Sequence, residues 1–242
     1  MPPLAPPIPA AAAALALVAL ALLGCAECTQ VILGKGDLSN TRAPHGDWQP
    51  AGDIRLDPDN PSRFHIVPGT GVIVNGREGR TVDLLTTAEY ADVRVTYDFC
   101  IPKGSNSGVY FMGRYEIQIY DSHGVADPKH SDCGGIYERW ANDRGFEGHP
   151  PLLNACRPPG EWQKVEVVFR APRFDKEGNK VANAVFKRVA LNNSLIHRDV
   201  EVSGPTRAAR YDDEKPFGPL MLQGDHGPVA FRNLRITPLH LP

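Results

Sequence analysis

The sequence predicts an all-β fold, a sandwich or jelly roll of antiparallel sheets. Three observations predict it. From about residue 70 onward the apolar residues recur with a period of two, the period of a strand with one face buried. No stretch after residue 28 carries a convincing amphipathic helical pattern. Gly and Pro number 23 each in 242 residues, and helix interiors tolerate neither well.

The clearest strands are Asp92–Ile101 and Trp162–Arg170. In the first, Val93, Val95, Tyr97, Phe99 and Ile101 alternate with Asp92, Arg94, Thr96 and Asp98. In the second, Val165, Val167 and Phe169 alternate with Lys164, Glu166 and Arg170. Further strand-like runs are Gly71–Asn75, Thr81–Thr86, Gly108–Asp121, Gly134–Glu138, Ala184–Leu191, Ser194–Arg198, Pro219–Gln223 and Val229–Thr237. Asn192-Asn193 separates two of them. Asn tolerates positive φ, so a tight hairpin turn is expected there. Asp121–Glu161 is the longest irregular stretch, and Gly204–Gly218 is a second, charged loop. Residues 29–242 read as a single domain with no internal repeat.

The chain begins differently. Ala10–Gly24 is an apolar run of about 15 residues, short for a membrane span and suited to the core of a signal peptide. Residues 1–24 hold no Lys or Arg, so the usual basic n-region is missing. The small residue before Cys25 resembles a bacterial lipobox, in which the Cys becomes a lipidated N-terminus. Plain cleavage after Ala26 is the rival. Residues 1–28 are therefore read as a signal peptide of lipoprotein type. The expected location is the periplasm or the outer membrane, with a lipid anchor at Cys25 as the only membrane contact. The net charge of −2 offers no phosphate-binding stripe, which argues against a nucleic-acid partner.

An exported protein is permitted a disulfide. Cys133 and Cys156 both lie in Gly/Pro-rich loop sequence and are the expected pair. Cys100, inside a strand-like run, is expected to be free and buried. The spacing of these cysteines does not suit zinc. No metal site is predicted, although Asp121, His123, Asp127, His130 and Asp132 share one loop, so a divalent metal stays possible. No cofactor is predicted: neither a Gly-x-Gly-x-x-Gly nucleotide loop nor a Gly-x-Ser-x-Gly elbow occurs.

Alternation from Tyr115 to Tyr120 puts Glu116, Gln118 and Tyr120 on one face and Tyr115, Ile117 and Ile119 on the core face. A carboxylate, an amide and a phenol in a row suit sugar hydroxyls, or are simply a solvated face. Around residue 222, Leu220 and Leu222 face one way and Met221 and Gln223 the other. Asp225-His226 follows in a turn, either as a tuned base or as a solvated His. Trp162 is a stacking platform or a core anchor.

Asn106-Ser107-Gly108, Tyr115-Glu116-Ile117-Gln118, Gly134-Gly135-Ile136-Tyr137, Pro159-Gly160-Glu161-Trp162-Gln163, Leu191-Asn192-Asn193, Leu222-Gln223 and Phe231-Arg232-Asn233-Leu234-Arg235-Ile236 occur in this order. Together they resemble the 3-keto-disaccharide hydrolase domain family, also described as 3-keto-glycoside lyases and hydratases. The resemblance covers about residues 70–238. It implies a concanavalin-like jelly roll with sugar bound on the concave face. It also implies cleavage of an oxidised (3-keto) disaccharide or glycoside by C2 proton abstraction, elimination and hydration. By position, Glu116 and His226 are the acid/base candidates. Asn106, Arg114, Gln118 and Gln223 are expected to orient hydroxyls or the enolate, and Tyr137 and Trp162 to stack. Members commonly carry Arg where this chain has Met112; either Arg114 replaces it from two residues away or binding is altered. A classical retaining glycosidase needs two carboxyls about 5–5.5 Å apart, and this strand offers only Glu116. The alternative from another class is a non-catalytic carbohydrate-binding module on a cell-surface lipoprotein.

Overall fold

The computed structural model describes residues 29–33 and 37–242. The expected signal peptide, residues 1–28 with Cys25, lies outside the described residues. Among the described residues sixteen strands follow: β1 (Gln30–Val31), β2 (Gln49–Leu56), β3 (Phe64–Val74), β4 (Leu84–Leu85), β5 (Val93–Cys100), β6 (Asn106–Phe111), β7 (Tyr115–Tyr120), β8 (Arg139–Ala141), β9 (Arg144–Phe146), β10 (Gln163–Arg170), β11 (Arg173–Phe174), β12 (Lys180–Ala182), β13 (Ala184–Leu191), β14 (Ser194–Val202), β15 (Met221–Leu222) and β16 (Ala230–Pro238). No helix occurs among the described residues. The fold is the all-β jelly-roll sandwich that the sequence predicts.

Two sheets face each other. The larger runs β14-β13-β10-β5-β16-β3-β2, with β1 paired to β16, and the smaller runs β4-β15-β6-β7. The core lies between them. Val95, Phe99, Val165, Val167, Phe169 and Phe186 of the larger sheet meet Val109, Phe111, Tyr115, Ile117 and Ile119 of the smaller, all at most 3% exposed. Each such side chain contributes about 1.5–3 kcal/mol on burial. A second apolar cluster, with Ile54, Phe64 and Val72, covers the outer face of the larger sheet.

The strongest alternations became strands within one residue of the expected ends: β5, β10, β13 and β16. Asn192 and Asn193 have φ of 51° and 69°, the turn expected between β13 and β14. Gly108–Asp121, which reads as one alternating run, is instead a hairpin. Met112 and Gly113 turn at φ of 57° and 65°, and β6 pairs with β7 on either side. The expected strand Gly134–Glu138 is reduced to Ile136, which bridges Ile117 on the open edge of β7 and His149 on its other side. β2 was not expected, because Pro50 and Gly52 break its pattern. Gly52 is needed there: a Cβ on it would lie 2.8 Å from the Pro68 carbonyl oxygen on β3.

The long loop after β7 is held by hydrogen bonds. Asn154 Nδ2 donates to the carbonyls of Ser122 and Val125, and the Cys133 N–H donates to Ser122 Oγ. The expected Cys133–Cys156 disulfide is not formed here. The two stand as contacting thiols, the Cys133 S–H donating to the Cys156 sulfur. That contact holds the Cys133 thiol up and brings Cys156 below the ordinary thiol value, while burial pushes Cys100 up to about 12. Thiolate is the reactive form. Iodoacetamide should therefore label Cys156 of the native protein well before Cys133 or Cys100, which peptide mapping will read; labelling of Cys100 first would contradict this packing.

Candidate functional site

Strand alternation turns one face of the β6–β7 hairpin into the core and the other outward. On the outward face Tyr110 stands opposite Glu116, Gly108 opposite Gln118, and Asn106 opposite Tyr120. β15 lies on the other side of β6, with Met221 opposite Tyr110. The Gln223 N–H donates to the Gly108 carbonyl just beyond it. A row of side chains thus has a gap at Gly108. A Cβ there would lie 2.1 Å from Glu116 Oε1, so the Glu116 carboxyl leans over Gly108 into the space a side chain would fill.

That space is the floor of a cavity of about 370 Å³. Asn106, Gln118 and Gln223 bring amides to it, Tyr110 and Tyr137 bring phenols, and Glu116 and His226 bring the titratable groups. Glu116 is 3% exposed, and burial is the main cause that pushes its carboxyl up to about 8. The nearby charge of Asp83 pushes the same way, whereas a hydrogen bond from the Tyr110 hydroxyl opposes it. Tyr110 is held well above the ordinary phenol range by burial and by Glu116.

The walls are loops clamped to the sheet. Gly134–Tyr137 lies along β7: the Gly134 N–H donates to the Gln118 carbonyl, and the Tyr137 N–H to that of Glu116. The loop from 204 to 218 forms the next wall. Thr206 Oγ accepts from the Glu116 N–H at 3.2 Å and donates to the Arg114 carbonyl at 3.0 Å. Glu214 ties the far part of that loop down, accepting from Tyr115 at 2.6 Å and from Lys180 at 2.5 Å.

His226 sits on the turn from 224 to 229, with Nδ1 2.5 Å from Asp225 Oδ1. Asn75 holds this turn. It is fully buried, its Nδ2 donates to Gly224 O (3.0 Å) and Gly227 O (2.8 Å), and its Oδ1 accepts from the Val229 N–H (2.7 Å). Asp83 Oδ1 accepts from the Gly224 N–H at 3.1 Å.

Six of the expected site residues therefore meet: Asn106, Glu116, Gln118, Tyr137, Gln223 and His226. Two do not. Arg114 leaves the β6–β7 turn to donate to the Met112 and Asp213 carbonyls, to pair with the Asp213 carboxylate and to stack on Tyr211, and so anchors the 204–218 loop. Trp162 lies on the outer face of the larger sheet, under the Arg232 guanidinium at 4.0 Å. Tyr120 is at the hairpin's end and 37% exposed. The expected His/Asp loop has other commitments. Asp121 accepts from the Gly104 N–H, His123 contacts the Cys156 carbonyl, and His130 pairs with Glu138. Among the described residues no three His, Cys, Asp or Glu side chains are grouped to hold a metal.

Sequence reasoning missed Tyr110, Arg207, Asp83 and Asn75. Tyr110 was legible, since it alternates with Val109 and Phe111. Arg207 lies in the charged loop Gly204–Gly218, where no period assigns a face, and Asp83, inside the expected run Thr81–Thr86, stands just before the two-residue β4.

A family model described as a 3-keto-alpha-glucoside-1,2-lyase-like domain matches residues 33–237. The chain belongs to this family. Membership places it among carbohydrate-active proteins. Solved structures of candidate glycosyl hydrolases from Parabacteroides distasonis ATCC 8503 share the fold. One is 22% identical with a TM-score of 0.63, covering 87% of this chain and 84% of its own. Another is 20% identical with a TM-score of 0.56, covering 88% and 100%. No curated protein matches the chain significantly.

Asn75→Ala would leave the Gly227 carbonyl and the Val229 N–H without partners in a buried turn, and the Gly224 carbonyl with the Thr81 N–H alone. It should cost about 2–3 kcal/mol, the scale of unmade buried hydrogen bonds, measured by chemical denaturation. Loss of under about 0.5 kcal/mol would mean the turn is held without it.

Proposed function

We propose that this protein is an exported enzyme that cleaves 3-keto-glycosides, including 3-keto-disaccharides, by elimination and hydration. The observation that carries this reading is Glu116: one buried carboxyl with a raised pKa, over a side-chain-free floor and ringed by hydroxyl-binding amides. A ketone at C3 acidifies the C2 proton. A desolvated carboxylate is a stronger base than a solvated one, and the raised value lies near operating pH, where general acid–base catalysis works best. The amides of Asn106, Gln118 and Gln223 would fix the ring hydroxyls, and Tyr137 would line one wall. His226, with Asp225 on its Nδ1, would serve as the acid for the departing oxygen. Export through residues 1–28, with lipidation at Cys25, belongs to the same reading. A recognition surface would have no use for so strongly perturbed a carboxyl, and this favours the enzyme over the binding module.

The test uses purified protein, 3-keto-trehalose and the unoxidised sugar as control, following release of 3-keto-glucose. Release from the keto sugar alone, reduced at least 100-fold by Glu116→Gln, is the expected result. Cleavage of the unoxidised sugar would replace this reading with two-carboxylate hydrolysis. Binding without cleavage would favour the module.

The base must be ionised. As Glu116 passes through about 8, exchange of the C2 hydrogen of 3-keto-glucose into D2O, which needs the base alone, should therefore speed up with pH and level off above it, in the field of Asp83, Tyr110, Tyr137, His226 and Arg207. The same raised value has a stability sign. The folded state keeps a proton that the unfolded chain releases at its ordinary value of 4.5, so folding stability falls as pH rises from about 4.5 to 8. Glu116→Gln should remove that fall, and its melting temperature relative to wild type should be highest above pH 8.

Gly108→Ala should reduce the same cleavage at least ten-fold with the far-UV spectrum unchanged, because a methyl would displace the Glu116 carboxyl. Full activity in that variant would place the carboxyl elsewhere during turnover.

A further inference from the structure

The cavity has two chemically different ends. It runs along β6 from Asn106 to Tyr110, four residues and so about 14 Å. At the Asn106 end stands His226: a Cβ on the next residue, Gly227, would lie 2.4 Å from Ser105 Oγ and 3.0 Å from the Asn106 N. At the Tyr110 end stands Arg207, whose carbonyl lies 3.4 Å from the Tyr110 hydroxyl. Glu116 leans over Gly108, midway between the ends.

Arg207 is a prepared cation. Its guanidinium lies 3.9 Å above the Trp140 ring, on the β8–β9 hairpin. Its Nη1 is 3.8 Å from Glu138 Oε1, and its backbone N–H donates to the Glu138 carbonyl. Glu138 immediately precedes β8, two residues before Trp140. Gly145, opposite Trp140, leaves room for the Glu138 carboxyl, since a Cβ there would lie 1.6 Å from Oε2. His130 closes the Glu138 side at 3.3 Å. Among the described residues the guanidinium makes no hydrogen bond of its own, so stacking fixes its plane while its N–H groups stay available to the cavity it lines.

We propose that Arg207 is the catalytic residue that binds the C3 oxygen and stabilises the enolate, and that the glycosidic oxygen is turned the other way, toward His226. This rests on the 3-keto reading above. The chemistry fixes the direction. Arg is not deprotonated in proteins, so it can hold an oxyanion but cannot hand a proton to a leaving group. His exchanges a proton at neutral pH and suits the departing oxygen.

The steps balance. Glu116 takes the C2 proton, the C–H pair forms the C2=C3 bond, and the charge settles on O3 beside Arg207. The pair then returns: C3=O re-forms, C1=C2 forms, and the C1–O bond breaks with its electrons going to the glycosidic oxygen. That oxygen takes a proton from His226. Water next adds its oxygen to C1 and gives a proton to His226, and Glu116 returns its proton to C2. Both groups are reset and the sum is hydrolysis.

The experiment compares Arg207→Met, Arg207→Lys and His226→Ala in the purified protein, with melting curves to confirm folding. Two substrates are used, 3-keto-trehalose and a 4-nitrophenyl 3-keto-α-glucoside, whose leaving group needs no acid. Exchange of the C2 hydrogen of 3-keto-glucose in D2O, followed by NMR, isolates enolate formation. Arg207→Met should lose at least 100-fold in kcat/KM on both substrates and in exchange, with Arg207→Lys recovering part of it. His226→Ala should lose as much on 3-keto-trehalose but stay within ten-fold of wild type on the nitrophenyl substrate and in exchange. Wild-type exchange in Arg207→Met, or its rescue by nitrophenyl, would overturn the assignment. Wild-type protein inert in all three assays would overturn the 3-keto reading itself, and this inference with it.

Discussion

Phe111 and Tyr115, at the closing end of one hairpin, pack against Phe169 of the facing sheet with ring centroids 5.2 and 5.4 Å away, and Phe186 lies 5.0 Å from Phe169. The geometry of the cavity depends on this aromatic contact. It commits the odd-numbered positions of β6 and β7 to the core. Because a strand reverses face at every residue, it commits Tyr110, Glu116 and Gln118 to the other side. A slip of one residue would bury the carboxyl among the phenyl rings and expose the aromatics. Core packing and site chemistry are two faces of one register.

The outward face alone would be a flat polar sheet. It becomes a cavity through three additions: the missing side chain at Gly108, the Gly134–Tyr137 segment on the edge of β7, and the 204–218 loop. The Gly134–Tyr137 segment attaches by backbone hydrogen bonds to the strand that carries Glu116, and the 204–218 loop through the Thr206 hydroxyl, which accepts from the Glu116 N–H. The carboxyl is therefore desolvated by elements that are themselves fastened to its own strand, which is why its raised pKa and its fixed position go together. The opposite wall depends on Asn75, whose amide satisfies three backbone groups of the His226 turn.

Residue by residue, legibility in the sequence followed the strands. β13 was read with its ends because Ala184–Leu191 carries β-rich residues bounded by Asn turns. Glu116, Gln118 and Gln223 were legible because alternation against Ile117, Ile119 and Leu222 gave them a face. The hairpin turn at Met112-Gly113 was hidden, since alternation continues across it without Asn or Asp to mark it. Arg114 and Trp162 were misplaced for one reason. Each is chemically suited to sugar, and neither lies inside a strand whose period would have shown which way it points.

The sequence by itself determined the fold class, the antiparallel strands and the polar side of the β6–β7 hairpin, because these follow from local periodicity and turn chemistry. Only the tertiary structure decided which distant segments close over Glu116. Arg207, Asp83 and Asn75 are brought to the site by contacts between residues about 100 or more apart in the chain, or by a turn with no period of its own. Local pattern holds no record of such contacts. They arise when the sheets stack and each unpaired backbone group finds its partner.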